Sequence, residues 1–271
     1  MRAGSQGVKI MSEHLEVTLK HFNPKSMQIS DSVRATSSNQ LTGTDYMAAI
    51  GMTAADAEFG LSLFYAKSGV SEKDRERAIG LLTKYAHKQA PKHVGKAAGR
   101  NMAICMSILA TAAYADYARS ASDEDGCEIC NASGFISVQR DVVKHEGITN
   151  AAGEVIVEPS VKHECVKEKC TNCGGKGKLS SRCRCNGTGK VLSKVKRSDG
   201  WLAEEKDCDR CSGRGYSRVK PASVYRIISK RLPELQERTW NRNWKPFYEL
   251  LVSKCYAEES NAHAAFKKIT S

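Results

Sequence analysis

Four segments of the chain combine cysteine and glycine at a recurring spacing. Cys127 and Cys130 precede Gly134, Cys170 and Cys173 precede Gly175 and Gly177, Cys183 and Cys185 precede Gly187 and Gly189, and Cys208 and Cys211 precede Gly213 and Gly215. Two are complete C-x-x-C-x-G-x-G units; the first carries Ala132 where a glycine would stand, and the third is shortened to C-x-C. Two cysteines three apart can turn both sulfurs onto one ion at about 2.3 Å, and the following glycines allow the positive φ that a tight knuckle needs. Two knuckles complete a tetrahedral site, so eight cysteines provide for two zinc ions. Such sites are closed to water, which makes the ions structural. An iron–sulfur cluster or redox-active dithiols would use similar ligands, but repeated glycine-rich knuckles favour zinc. His163 and Cys165 lie close enough to Cys170 to substitute for a ligand, whereas Cys105 and Cys255 fall on apolar helical faces and read as core.

Eleven cysteines could instead form disulfides, but the N-terminus lacks an export signal and no run of 18 apolar residues occurs. The expected compartment is the cytoplasm, with no membrane association, where thiols stay reduced and bind metal. Met11 is as good a start as Met1, and the ten residues before it are assigned no role. Catalysis has no support. There is no paired nucleophile and base, no phosphate-binding glycine loop, no open metal site, and the seven histidines are scattered.

The formal charge is +12, with residues 161–245 carrying +13 and all other residues together −1. Eight thiolates and two Zn(II) would leave the chain at about +8. Charge confined to one third of a chain suits a polyanion, because each neutralised phosphate releases counterions.

The elements around the knuckles follow from periodicity. Residues 1–43 read as an extended lead-in, 44–120 as a helical bundle, 121–219 as the cysteine-rich zinc region and 220–271 as a helix-turn-helix-like DNA-binding region. The expected fold is mainly α, with an irregular, short-strand zinc module. Thr53 with Asp56, and Ser71 with Asp74, stand at helix-capping spacing and predict helices near 54–67 and 72–88. A third is predicted over 96–119, burying Met102, Cys105, Met106, Leu109, Ala112 and Ala113. Residues 137–162 suggest a β-hairpin or loop, with Val155 and Val157 alternating.

Near the C-terminus, Val224, Ile227, Ile228 and Leu232 form a helical stripe, Pro233 breaks it, and a second helix of about ten residues is predicted through Lys245. Pro246 is predicted to open a further helix through Phe247, Leu250, Leu251 and Tyr256. Trp240 and Trp244 should anchor one face of the second helix. Arg238, Thr239, Asn241, Arg242, Asn243 and Lys245 supply the side chains that bond base edges and phosphates, and Lys220, Lys230 and Arg231 are candidate phosphate contacts.

The cysteine repeat resembles the cysteine-rich region of DnaJ-type co-chaperones, which implies that the first knuckle pairs with the fourth and the second with the third. Separation along the chain fixes only the inner pair, because nine residues part Cys173 from Cys183. A DnaJ-like chaperone module is the alternative function, but no His-Pro-Asp tripeptide occurs and peptide binding does not need concentrated positive charge. A simple zinc-containing DNA-binding regulator is another.

The chain as a whole resembles the zinc-containing Q-type late transcription antiterminators of lambdoid bacteriophages. The resemblance rests on residues 45–52, 114–122, all four cysteine segments and residues 239–248. It implies binding to double-stranded DNA at a late promoter, engagement of bacterial RNA polymerase holoenzyme, and read-through of pauses and terminators. Contact with nascent RNA is left open.

Overall fold

The computed structural model describes residues 15, 16, 18, 19, 41, 43–149, 153, 155–197 and 200–270. Both candidate starts and most of the 1–43 lead-in lie outside the described residues. The chain divides into two compact units, one of residues 1–118 with 219–271 and the other of residues 119–218.

The first unit is helical: α1 (Gly43–Lys67), α2 (Glu72–Gln89), α3 (Lys92–Ala98), α4 (Met102–Tyr117), α5 (Pro221–Ser229), α6 (Glu237–Thr239) and α7 (Lys245–Thr270), with a π-turn over Trp240–Trp244. Ser71 caps α2 by accepting from the Asp74 amide at 3.2 Å. Thr53 is not a cap. It is buried within α1, where its hydroxyl donates to the Ala49 carbonyl, and the helix starts at Gly43 rather than at the residue after Thr53 that the spacing with Asp56 suggests. A kink at Ala57, with φ −138° and ψ 46°, is what survives of that boundary. The helix predicted over 96–119 is divided by Gly99, whose φ of +49° ends α3 before α4 begins.

Residues 44–120 and 220–271, separate in the sequence expectation, share one hydrophobic core. Leu82, Leu109 and Met106 join Ile228, Trp240, Trp244 and Leu251 in it. Asp116 accepts from the Val219 amide at 2.9 Å where the chain re-enters this unit. Helices α1 and α7 approach closely enough that a Cβ on Gly60 would stand 2.0 Å from the Glu258 carbonyl oxygen. The lead-in is not wholly extended: residues 15, 16, 18 and 19 are helical, and Leu15 packs with Phe64, Tyr65 and Phe266. No helix among the described residues is long and apolar enough to cross a membrane.

The predicted ten-residue second helix differs from the structure. Helical backbone continues from Glu237 to Thr270. Pro246 cannot donate to the Arg242 carbonyl and its ring crowds that oxygen; the ladder widens instead, and the Lys245 amide bonds back to Trp240. Trp240 and Trp244 are buried, whereas Ile227 and Leu250, expected on apolar faces, are exposed.

Among the described residues the second unit holds four two-stranded antiparallel sheets: β1 (Glu124–Gly126) with β6 (Lys178–Ser180), β2 (Phe135–His145) with β5 (Ser160–Lys169), β3 (Ile148–Thr149) with β4 (Val155–Val157), and β7 (Lys190–Arg197) with β8 (Gly200–Asp207). The expected hairpin over 137–162 is thus the β2–β5 ribbon with β3–β4 near its tip. Apart from cysteines, only Ile136, Leu179 and Val191 among the described residues pack partly buried against this unit's two small clusters.

Candidate metal centres

Each ribbon leaves one cysteine knuckle and returns at another. Phe135 pairs with Lys169 at the base of β2–β5, which sets Cys130 beside Cys170; Lys190 pairs with Asp207 at the base of β7–β8, which sets Cys185 beside Cys208. Cys127, Cys130, Cys170 and Cys173 form one group, and Cys183, Cys185, Cys208 and Cys211 the other, each with its sulfurs within 4.8 Å of one another. The inner and outer pairing implied by the DnaJ resemblance is therefore incorrect: the first knuckle pairs with the second and the third with the fourth. Short separation misled because the nine residues between Cys173 and Cys183 are used by β6, which pairs with β1 and leads out of one cluster into the next.

The knuckles of each cluster are locked by a reciprocal pair of backbone bonds. The Cys127 amide donates to Gly177 and the Cys170 amide to Gly134, both at 2.8 Å; the Cys183 amide donates to Gly215 and the Cys208 amide to Gly189, also at 2.8 Å. This repetition explains the last glycine of each segment. At Gly134, with φ +82°, a Cβ would meet the Gly175 oxygen at 2.4 Å; at Gly177, with φ +71°, it would meet the Ala132 oxygen at 2.3 Å.

Sulfur separations of 3.8 Å for Cys127–Cys170, 3.7 Å for Cys130–Cys173, 3.9 Å for Cys183–Cys208 and 3.8 Å for Cys185–Cys211 are far beyond a disulfide. Four thiolates at about 2.3 Å from a central ion have tetrahedral edges of about 3.8 Å, so each cluster has the dimensions to hold one metal ion. Amides of Gly134, Gly177 and Gly215 donate to the sulfurs of Cys130, Cys173 and Cys211 at 3.2–3.3 Å. The Asn172 side chain donates from Nδ2 to Cys127 Sγ at 3.3 Å and holds that thiol down at about 6. Burial pushes Cys130 and Cys211 up to about 11. Burial also acts to raise Cys185, but donation from Gly189 and the neighbouring thiols brings it to about 7. Thiols divided in this way present mixed protonation, which a divalent cation resolves by making all four thiolates.

Cys165 is exposed on β5 opposite Gln139, and His163 Nδ1 lies 2.6 Å from Asp141, so neither residue joins a cluster. Cys105 and Cys255 are buried in the helical core. Asn172 is the cluster residue that sequence reasoning missed; its only mark is its place inside a C-x-x-C segment.

Two stretches, residues 35–121 and 177–263, match the family model described as antitermination protein Q. The chain is 37% identical over 258 residues to the prophage antitermination protein Q homolog QuuQ of Escherichia coli K12, covering 95% of this chain and 99% of that protein. It is 34% identical over 259 residues to antitermination protein Q of Escherichia phage lambda and, equally, to that of Salmonella phage P22, covering 94% of this chain and 99% of each relative. The chain belongs to the antitermination protein Q family. The matched stretches of the family model take in helices α1–α4, the second cysteine cluster and most of the C-terminal helices.

The predicted nucleic-acid residues of this Q-family chain all lie in the helical unit. Lys220, Lys230, Arg231, Arg238, Asn241 and Arg242 are exposed, while Thr239, Asn243 and Lys245 are half-buried. Across the π-turn, Arg238, Asn241, Arg242 and Lys245 follow helical spacing opposite the buried Trp240 and Trp244. Lys220 stands immediately before α5, and Lys230 and Arg231 lie in the turn after it.

Proposed function

We propose that the chain is a bacteriophage late-gene antiterminator that binds double-stranded DNA at a late promoter, engages bacterial RNA polymerase holoenzyme and carries it past pauses and terminators. Near full-length identity of 34–37% to proteins named for antitermination carries this conclusion. The protein acts as a regulator in the host cytoplasm and not as a catalyst.

Zinc is the ion that best suits both clusters, because closed all-thiolate tetrahedra are its usual structural sites. Each ion replaces the apolar core that the ribbons lack and fixes their bases. Helix α5, residues 230–236 and the first turns of the 237–270 helix act as a helix-turn-helix-like reader. Arg238, Asn241 and Arg242 project from its exposed face toward base edges, flanked by Thr239, Asn243 and Lys245, while Lys220, Lys230 and Arg231 hold the phosphate backbone.

The test is a reporter gene placed behind a cognate late promoter and a terminator in bacterial cells. Expression of the chain should raise reporter output, with no increase when the promoter is replaced by an unrelated one. Tight promoter binding without read-through would instead make the chain a simple DNA-binding regulator.

A further inference from the structure

We propose that residues 92–100 form a second part of the DNA-binding face, with Lys92, Lys96 and Arg100 contacting the phosphate backbone of duplex DNA. This rests on the DNA-reading role proposed for residues 220–245 and extends it to a chain segment far away in sequence.

No Asp or Glu occurs between Glu76 and Asp116, and within that stretch Lys84, Lys88, Lys92, Lys96 and Arg100 recur every fourth residue. All five are exposed. The first part of the same bundle behaves differently: Arg75 pairs with Glu72, and Arg77 with Glu58 and Asp74. Among the described residues, Lys92, Lys96 and Arg100 have no ion pair, and neither do Arg231, Arg238 or Arg242.

Packing brings the two segments that carry these cations together. Helix α3 buries Val94 and Ala98 in the core that holds Trp240 and Trp244, and it lies against the π-turn. Beyond it, the positive φ of Gly99 turns the chain, and the Asn101 side chain donates from Nδ2 to the Arg231 carbonyl at 3.2 Å. Arg100 and Arg231, 131 positions apart, are thereby held on neighbouring backbone segments. The only acids between Lys220 and Tyr248 are Glu234 and Glu237. Gathering unpaired cations from two segments raises their mutual repulsion, and a polyanion lying across both relieves it. The uniform four-residue spacing with no base-reading amide among the three side chains suits phosphates rather than base edges.

The test uses the metal-loaded full chain and a short mixed-sequence DNA duplex, with affinity followed by fluorescence anisotropy across a potassium chloride series. Changing Lys92→Gln, Lys96→Gln and Arg100→Gln together should weaken binding and flatten the log–log salt slope by about 0.9 per lost contact, about 2.7 in all. Arg75→Gln with Arg77→Gln, which removes ion-paired cations, should leave the slope unchanged, and Lys92→Arg with Lys96→Arg should retain it. Retention of the full slope by the triple variant, or a loss confined to single-stranded RNA, overturns the inference. A wild-type chain that binds no duplex overturns the DNA-reading role as well, so the two failures are distinguishable.

Discussion

Replacing Cys130 and Cys173 together by serine distinguishes the two ways of pairing the knuckles. Their sulfurs stand 3.7 Å apart in one cluster, so Cys130→Ser/Cys173→Ser removes half the ligands of a single site and leaves Cys183, Cys185, Cys208 and Cys211 whole. Structural zinc contributes about 10–16 kcal/mol in apparent binding free energy at neutral pH. That is comparable to the whole stability of an ordinary domain, about 5–15 kcal/mol. Around the first cluster only Ile136 and Leu179 among the described residues pack in addition to the cysteines, too little to compensate for the loss. The β2–β5 ribbon should therefore detach from its base while the second cluster survives. The assay is elemental analysis after equilibration with a chelator, at the concentration where Cys130→Ser alone has lost one ion. The double variant should keep one zinc per chain, and Cys173→Ser/Cys185→Ser, which damages both clusters, should keep none. The opposite result, none for the first and one for the second, would refute the pairing derived from the ribbons.

Three further variants test the packing and the chemistry around it. Gly60→Ala places a methyl group against the Glu258 backbone and should cost about 1–3 kcal/mol in chemical denaturation, with a neutral result contradicting the close approach of α1 and α7. Ala132 occupies φ +63°, where an L side chain is strained by about 1–2 kcal/mol and glycine is not; Ala132→Gly should raise the thermal midpoint of the metal-loaded chain, and a lowered midpoint would argue against the knuckle geometry. Asn172→Ala removes the donor that lowers Cys127. A depressed thiol pKa favours the thiolate above about 6 and loses that advantage as pH falls through it, so the variant should require higher pH for half-loading with zinc; an unchanged midpoint in a pH titration of zinc uptake would dismiss Asn172 as a contributor.

The ligands were legible because thiolate chemistry imposes local spacing: each C-x-x-C segment can be recognised without knowing where its partner lies. The partner was not legible. Pairing is set by the register of β2 with β5 and of β7 with β8, and short separation along the chain pointed to Cys183 instead. Helix α2 was readable from Ser71 and Asp74, since a cap is also local, but the same spacing at Thr53 and Asp56 fell inside a longer helix. There tertiary burial of Thr53 overrides the turn preference that its side chain would otherwise express. The burial of Trp240 and Trp244 followed from their spacing. The shared core of residues 44–118 and 219–270 did not, because nothing in either segment signals that the other completes it. Likewise, the four-residue series of basic residues gains its meaning only from the fold, where the Asn101 side chain bonds the Arg231 carbonyl.

The most direct measurement of antitermination is single-round transcription with purified bacterial RNA polymerase and its initiation factor, on a template carrying a cognate late promoter followed by a terminator. Zinc-loaded wild-type chain should convert most terminated transcripts to read-through, whereas Cys130→Ser/Cys173→Ser should not, and a template with an unrelated promoter should show no effect for either. Unchanged termination with wild-type chain bound to the promoter would contradict the account.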